Sequence, residues 1–177
     1  MKIIKTLLIV LVVLVSALVA VGLMMPSSYR VERTTLINAP TDKVYGLIAD
    51  PREWKKWSVW NQRDPNMKIT YSGTTSGAGA KWAWESKSEG SGSMTFIQAE
   101  PNRVIEYALA FPDMGMSSRG TLTLSGEGSG TKVSWTNEGD VGKNPLMHLF
   151  VPFMDGMVGT DFAAGLANLK ALAEKAR

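Results

Sequence analysis

The side chains able to do chemistry in this sequence are few. His148 is the only histidine and there is no cysteine, which excludes a thiol nucleophile, a thiolate metal site and a multi-histidine centre. Asp155 follows His148 by seven residues. Even on an unbroken helix about 10 Å of rise would part them, too far for a hydrogen-bonded dyad, and Pro152 lies between. Asp155 and Asp161 are six apart, about 240° around a helix, so they are no carboxylate pair; solvation or helix capping is the expected role of both. Glu85, Glu106 and Glu138 fall in strand-like segments, where burial would raise a carboxyl pKa. Glu85 and Glu106 are opposite in parity to Trp84 and Tyr107, so they are expected to face solvent. Gly77 and Gly79 lack the third glycine of a dinucleotide fingerprint, and no Gly-Lys-Ser/Thr phosphate loop occurs. No catalytic residue, no metal and no cofactor is assigned.

The aromatic residues are the more telling set. Six tryptophans lie between positions 54 and 135, with Trp54, Trp57 and Trp60 recurring every three residues and Trp82 and Trp84 sharing one strand face by alternation. Rings of this size either fill a core or line a cavity for an apolar ligand. Arg52, Lys55 and Lys56, interleaved with Trp54 and Trp57, form a solvated helix face or touch anionic headgroups.

The elements that must position these residues follow from periodicity and turn chemistry. Tyr29 to Ile37 has the β-branched alternation of a strand, and Asn38-Ala39-Pro40-Thr41-Asp42 ends it and opens a helix through Ala49. Asp50-Pro51 breaks that helix, and Arg52 to Trp57 forms a second short piece. Six strands are expected next: Met67 to Ser72, Ala80 to Ser86, Ser91 to Ala99, Arg103 to Phe111, Met116 to Ser125 and Thr131 to Glu138. The connections between them are rich in Gly, Pro, Asn and Asp, which predicts an antiparallel meander. Met154, Val158, Phe162, Leu166, Leu169 and Ala173 then recur at three- and four-residue steps, the stripe of a long helix lying on the sheet. Pro152 divides it from a preceding turn near Pro145.

In order and detail the chain resembles the START-related, Bet v 1-like superfamily (SRPBCC), in its polyketide cyclase/dehydratase-like branch. The resemblance rests on Ile37-Asn38-Ala39-Pro40 with Val44, on Trp54 to Trp60 followed by Asp64-Pro65-Asn66-Met67, on Tyr71-Ser72-Gly73, on Trp82-Ala83-Trp84 and Val133-Ser134-Trp135, and on Met154 to Phe162 with Gly165 to Lys170. Similar proteins often have Ser-Pro-Trp where this one has Ser58-Val59-Trp60. The resemblance implies an α+β helix-grip fold, a curved antiparallel sheet around a long C-terminal helix, with a cavity between them. Its expected wall comprises Trp57, Trp60, Trp82, Trp84, Tyr107 and Trp135, with Met154, Val158 and Phe162 from the helix. The fold hosts lipid carriers, cyclases and chaperone activators alike. A binder of a lipid or small hydrophobic ligand is the expected function; a cyclase/dehydratase-like enzyme and an interaction or chaperone-assisting module are the alternatives.

Ahead of this domain, Thr6 to Met25 is a run of 20 uncharged residues, apolar except at Thr6, Ser16 and Gly22. As a helix it would span roughly 30 Å, the thickness of a bilayer core. A signal peptide has a shorter apolar core, of roughly 7 to 15 residues. Ala20-Val21-Gly22 is the only passable cleavage site, so an uncleaved anchor at residues 1–25 is favoured over a signal peptide. Lys2 and Lys5 then hold the N-terminus in the cytoplasm, giving a single-pass cell-membrane protein whose C-terminal domain is extracytoplasmic. Residues 26–28 are a short linker and 29–177 the domain. Setting Lys2 and Lys5 aside leaves 17 basic against 16 acidic residues, a near-neutral balance that gives no support for nucleic-acid binding. A monomer is expected, with the membrane and a hydrophobic ligand or lipid as its partners.

Overall fold

The computed structural model describes residues 2–175. Helix α1 (Lys2–Leu23) is followed by β1 (Ser28–Ile37), α2 (Thr41–Ala49), a 3₁₀ turn (Glu53–Lys56) and α3 (Val59–Arg63). The meander is β2 (Lys68–Gly73), β3 (Ala80–Glu85), β4 (Ser91–Glu100), β5 (Val104–Phe111), β6 (Met116–Glu127) and β7 (Gly130–Asp140). Helix α4 (Pro145–His148), a 3₁₀ turn at Val151–Phe153 holding Pro152, and α5 (Met154–Lys175) complete the chain. Each strand begins and ends within two residues of the segment expected for it. Val59–Arg63, without a helical stripe long enough to read, is an additional helix.

The strand order is β1-β7-β6-β5-β4-β3-β2, with antiparallel pairing throughout. Strands consecutive in sequence are neighbours except β1 and β2, which the α2–α3 excursion carries to opposite edges. The register shifts between Phe96 and Gln98 on β4, leaving Ile97 as the extra residue of a bulge, which bends the strand and adds to the curvature. Alternation places Val31, Trp135, Leu122, Ile105, Phe96 and Trp82 on the inner face, all buried beneath α2 and α5.

Helix α5 is fastened at both ends. Near its start Arg33 donates to both carboxylate oxygens of Asp155, at 2.8 and 3.0 Å. Near its end Lys170 donates to the Leu36 carbonyl at 2.7 Å, and the Asn38 amide to Glu174 at 2.7 Å. Gly165 lets the helix approach the core closely, since a Cβ there would stand 3.2 Å from the Trp135 ring, closer than ordinary van der Waals contact.

At the other end of the chain α1 packs on α4. A Cβ at Gly22 would collide with the Pro145 carbonyl. His148 lies between two carbonyl oxygens, Gly22 at 2.9 Å from Nδ1 and Gly142 at 2.8 Å from Nε2. Helix α1 is long and apolar enough to cross a membrane.

Candidate functional site

The interior between sheet and α5 is built from rings in contact. Trp135 stacks on Phe162, with centroids 3.9 Å apart and planes 7° from parallel. Trp57 meets Trp135 edge-on at 5.5 Å, Trp54 lies 4.4 Å from Trp57 and 5.3 Å from Trp82, and Trp82 meets Phe96 at 5.3 Å. Offset and edge-to-face pairs of this kind add roughly 0.5–1.5 kcal/mol each beyond the area they bury. The structure therefore brings Trp57, Trp82, Tyr107, Trp135 and Phe162 together as buried neighbours, while Trp60, Trp84, Met154 and Val158 are half-buried around them. Trp60 touches both Trp135 and Phe162, at 6.1 and 6.3 Å; Trp84 pairs with Phe111 at 5.7 Å.

The indole N–H groups explain why Trp54 and Trp57 point inward. Trp54 Nε1 donates to the Ile48 carbonyl at 2.8 Å and Trp57 Nε1 to the Leu47 carbonyl at 3.0 Å, so the two rings satisfy carbonyls that the end of α2 leaves open. Lys55 and Lys56 are left on the exposed side of the turn, Lys56 paired with Glu53 at 2.6 Å.

A polar line runs through this apolar interior. Trp135 Nε1 donates to the Tyr107 hydroxyl at 2.9 Å. On the same face Asn137 accepts from the Tyr29 hydroxyl at 3.2 Å and donates to Ser118 Oγ at 3.1 Å. Burial pushes the Tyr107 phenol up to about 12, with the hydrogen bonds of Trp135 and Asn137 opposing part of that rise. Burial also raises the Tyr29 phenol, against a smaller opposing effect of Ser118. Both are neutral donors and acceptors near pH 7. Gly120 lies directly under the Tyr107 ring, where any side chain would collide. Asn137, Ser118 and Tyr29 were not among the residues expected at the site; only Asn137 shares strand parity with one that was, Trp135.

The acids take other places. Asp155 lies in the Arg33 clasp, whose hydrogen bonds hold its carboxyl below the usual range. Asp161 pairs with Arg63, which also reaches Glu89 at 3.4 Å. Both aspartates also make an ion pair to another element, Asp155 while still exposed and Asp161 half-buried, a partner that helical spacing alone could not reveal. Glu85 and Glu138 are exposed, and Glu106 faces Arg119 at 3.9 Å.

Burial grades along the inner face. At the end covered by α2 the inward residues are closed off: Ile37, Val133, Leu124, Ile105 and Ala80. At the opposite end, where α1 joins through Ser28, they are only half-buried: Tyr29, Ser118, Met116, Leu109, Phe111 and Trp84. The interior is therefore open toward α1. At the same end lies an open trough of about 860 Å³, lined by Arg30, Arg119 and Glu138 and also by Tyr29, Leu109 and Ser118.

Residues 28–174 match the family described as polyketide cyclase / dehydrase and lipid transport. The chain belongs to this family. No curated protein sequence matches it. Among solved structures it is similar to protein CV1439 from Chromobacterium violaceum, at 21% identity, a TM-score of 0.59 and coverage of 85% of this chain and 99% of that one. It is also similar to Ara h 8.0201, at 10% identity, a TM-score of 0.61 and coverage of 84% and 99%. The di-domain ARO/CYC BexL from the BE-7585A biosynthetic pathway matches at 18% identity, a TM-score of 0.60 and coverage of 85% of this chain and 51% of that one. At such identities the family membership is SRPBCC-type in fold, and the likeness extends no further.

Proposed function

We propose that this family member is a membrane-anchored binding protein for a lipid or another small hydrophobic molecule, taken up between the sheet and α5 from the end nearest α1. The observation that carries the proposal is the gradient of burial along the inner face: closed beneath α2, half-open at Tyr29, Ser118, Leu109, Phe111 and Trp84. An amphiphile entering there would lay its apolar part against Trp60, Trp84, Leu109 and Val158. Its polar group would meet the hydroxyl and amide groups of Tyr29, Ser118 and Asn137, the few placed polar groups that fix orientation in an apolar site. The rings already in contact further in make Trp60 and Phe162 the side chains that must shift to admit a long chain. Helix α1, read as an uncleaved span, places this opening beside the bilayer, where such a ligand is concentrated.

The test is gentle extraction of the full chain followed by mass spectrometry of what co-purifies. A stoichiometric lipid, lost from Trp60→Ala and Asn137→Leu proteins that still fold, is the expected result. A polyketide-like acid would favour the cyclase-like alternative, and a protein partner with no small molecule would favour the interaction module.

A further inference from the structure

We infer that the face formed by Leu146, Phe150, Phe153 and Met157 is a second membrane contact, seated in the interfacial layer of the same bilayer that α1 crosses. This inference rests on α1 being a membrane span. Three independent features converge on it.

The first is exposure. Leu146, Phe150, Phe153 and Met157 are 38%, 55%, 62% and 64% exposed, and among the described residues outside α1 they make up most of the large apolar side chains left in solvent. They fall within one short stretch that runs from α4 through the 3₁₀ turn into the first turn of α5. The second is depth. The segment carrying them packs on the last turn of α1 through Pro145 against Gly22 and His148 against the Gly22 carbonyl. A segment held against the last turn of a spanning helix must lie at the level of that turn, which is the boundary between acyl chains and headgroups. The third is charge. From Asn144 to Met154 no Asp, Glu, Lys or Arg occurs. The carboxylate that follows, Asp155, is neutralised by its two-pronged pairing with Arg33, and Lys143, exposed just before the run, is placed to reach lipid phosphates. An apolar face with a cation at its border, lying flat at the interface, is the chemistry of a monotopic membrane contact.

The contact also gives the open end of the sheet a fixed orientation. Val151 and Met154 join this face to the start of α5, so seating Phe150 and Phe153 in lipid turns the half-buried end of the inner face toward the bilayer and not toward water.

Because the chain contains no cysteine, single-cysteine variants report one position each. The full-length protein would be reconstituted in bilayer nanodiscs of phosphatidylcholine and phosphatidylglycerol, with a small thiol-reactive fluorophore on Phe150→Cys, Phe153→Cys, Met157→Cys, Leu14→Cys within α1, or Glu127→Cys at the far end of the sheet. An interfacial helix lies about 5–10 Å into the headgroup boundary, so lipids carrying a shallow nitroxide should dim the first three roughly twofold or more. Aqueous iodide should quench only the Glu127→Cys protein strongly. If the Phe150→Cys and Phe153→Cys proteins are quenched by iodide as readily as Glu127→Cys, while deep nitroxides still reach Leu14→Cys, the anchor stands and the seat is refuted. If neither quencher reaches positions 150 and 153 and the unlabelled Phe150→Cys chains form a disulfide-linked dimer under a mild oxidant, the face binds a second copy and the inference is overturned. Failure of deep nitroxides to reach Leu14→Cys would overturn the anchor itself, and with it the seat.

Discussion

Phe162 and Tyr107 carry different kinds of weight in one interior. Phe162 lies flat on Trp135 at 3.9 Å and is also touched by Trp60, so its removal leaves a hole against the fully buried Trp135 ring. Phe162→Ala is expected to destabilise a fragment of residues 29–177 by about 3–5 kcal/mol in urea unfolding; a loss below about 1 kcal/mol would mean that the stack contributes little. Tyr107 is instead a polar group held neutral. Its phenol pKa is raised to about 12 in the fold against about 10 in the unfolded chain. The folded state thus binds the extra proton between these values, and the stabilisation is complete below about pH 10 and lost as pH rises through the folded value. Ultraviolet titration should show Tyr107 ionising together with loss of structure in that window. A Tyr107 signal that titrates near 10 with the fold intact would show that the hydroxyl is reached by water.

Helix α5 is long, yet its first two turns are held less by the core than by charge. Arg33 grips Asp155, and Arg63 spans from Asp161 on α5 to Glu89 on the β3–β4 turn. These pairs reach solvent, through Asp155 in one and Arg63 in the other, and are individually worth little to global stability, but they set the local freedom of the helix start beside the open end of the interior. Arg33→Gln is therefore expected to speed hydrogen exchange of the amides of residues 156–162 while leaving the strand amides and the global unfolding midpoint nearly unchanged. The Asp155 carboxyl is depressed by Arg33. Its contribution is present above the ordinary carboxylate value of about 4 and disappears as pH falls through the lower folded value. Acidification should loosen the same amides in the natural protein and leave the Arg33→Gln protein unaffected. Equal acid sensitivity of the two proteins would place the local stability elsewhere.

The molecule as a whole joins a candidate span to a domain through four residues, 24–27, and through the contact of α1 with α4. If α1 is an uncleaved anchor with Lys2 and Lys5 in the cytoplasm, alkaline extraction should leave the full-length chain in the membrane fraction. Protease added outside the cell should then digest the C-terminal domain, and release of a shortened soluble protein would show cleavage at Ala20-Val21-Gly22. Closeness to the bilayer also has a testable consequence. Inserting about twenty flexible residues after Met25, which loosens the domain from α1 by tens of Å, should reduce lipid occupancy in cells without changing the lipid affinity of the isolated domain.

Sequence periodicity alone determined the seven strands, the long terminal helix, the membrane-length helix and the inward parity of Trp82, Tyr107 and Trp135, because alternation and helical spacing are local properties of a chain whose apolar face must be covered. The Leu146, Phe150, Phe153, Met157 face was not read from the sequence, because whether such a set is buried or bare depends on what packs over it. Tertiary structure decided what local pattern could not. Trp54 and Trp57 point inward because the open carbonyls of α2 receive their N–H groups. Asn137, Ser118 and Tyr29 become a polar line because antiparallel register sets side by side residues up to 108 positions apart in the chain. Asp155 and Asp161 are ion-paired because α5 crosses β1 and α3. Contacts between distant residues depend on register and crossing, and these are fixed only when the whole sheet closes on its helix.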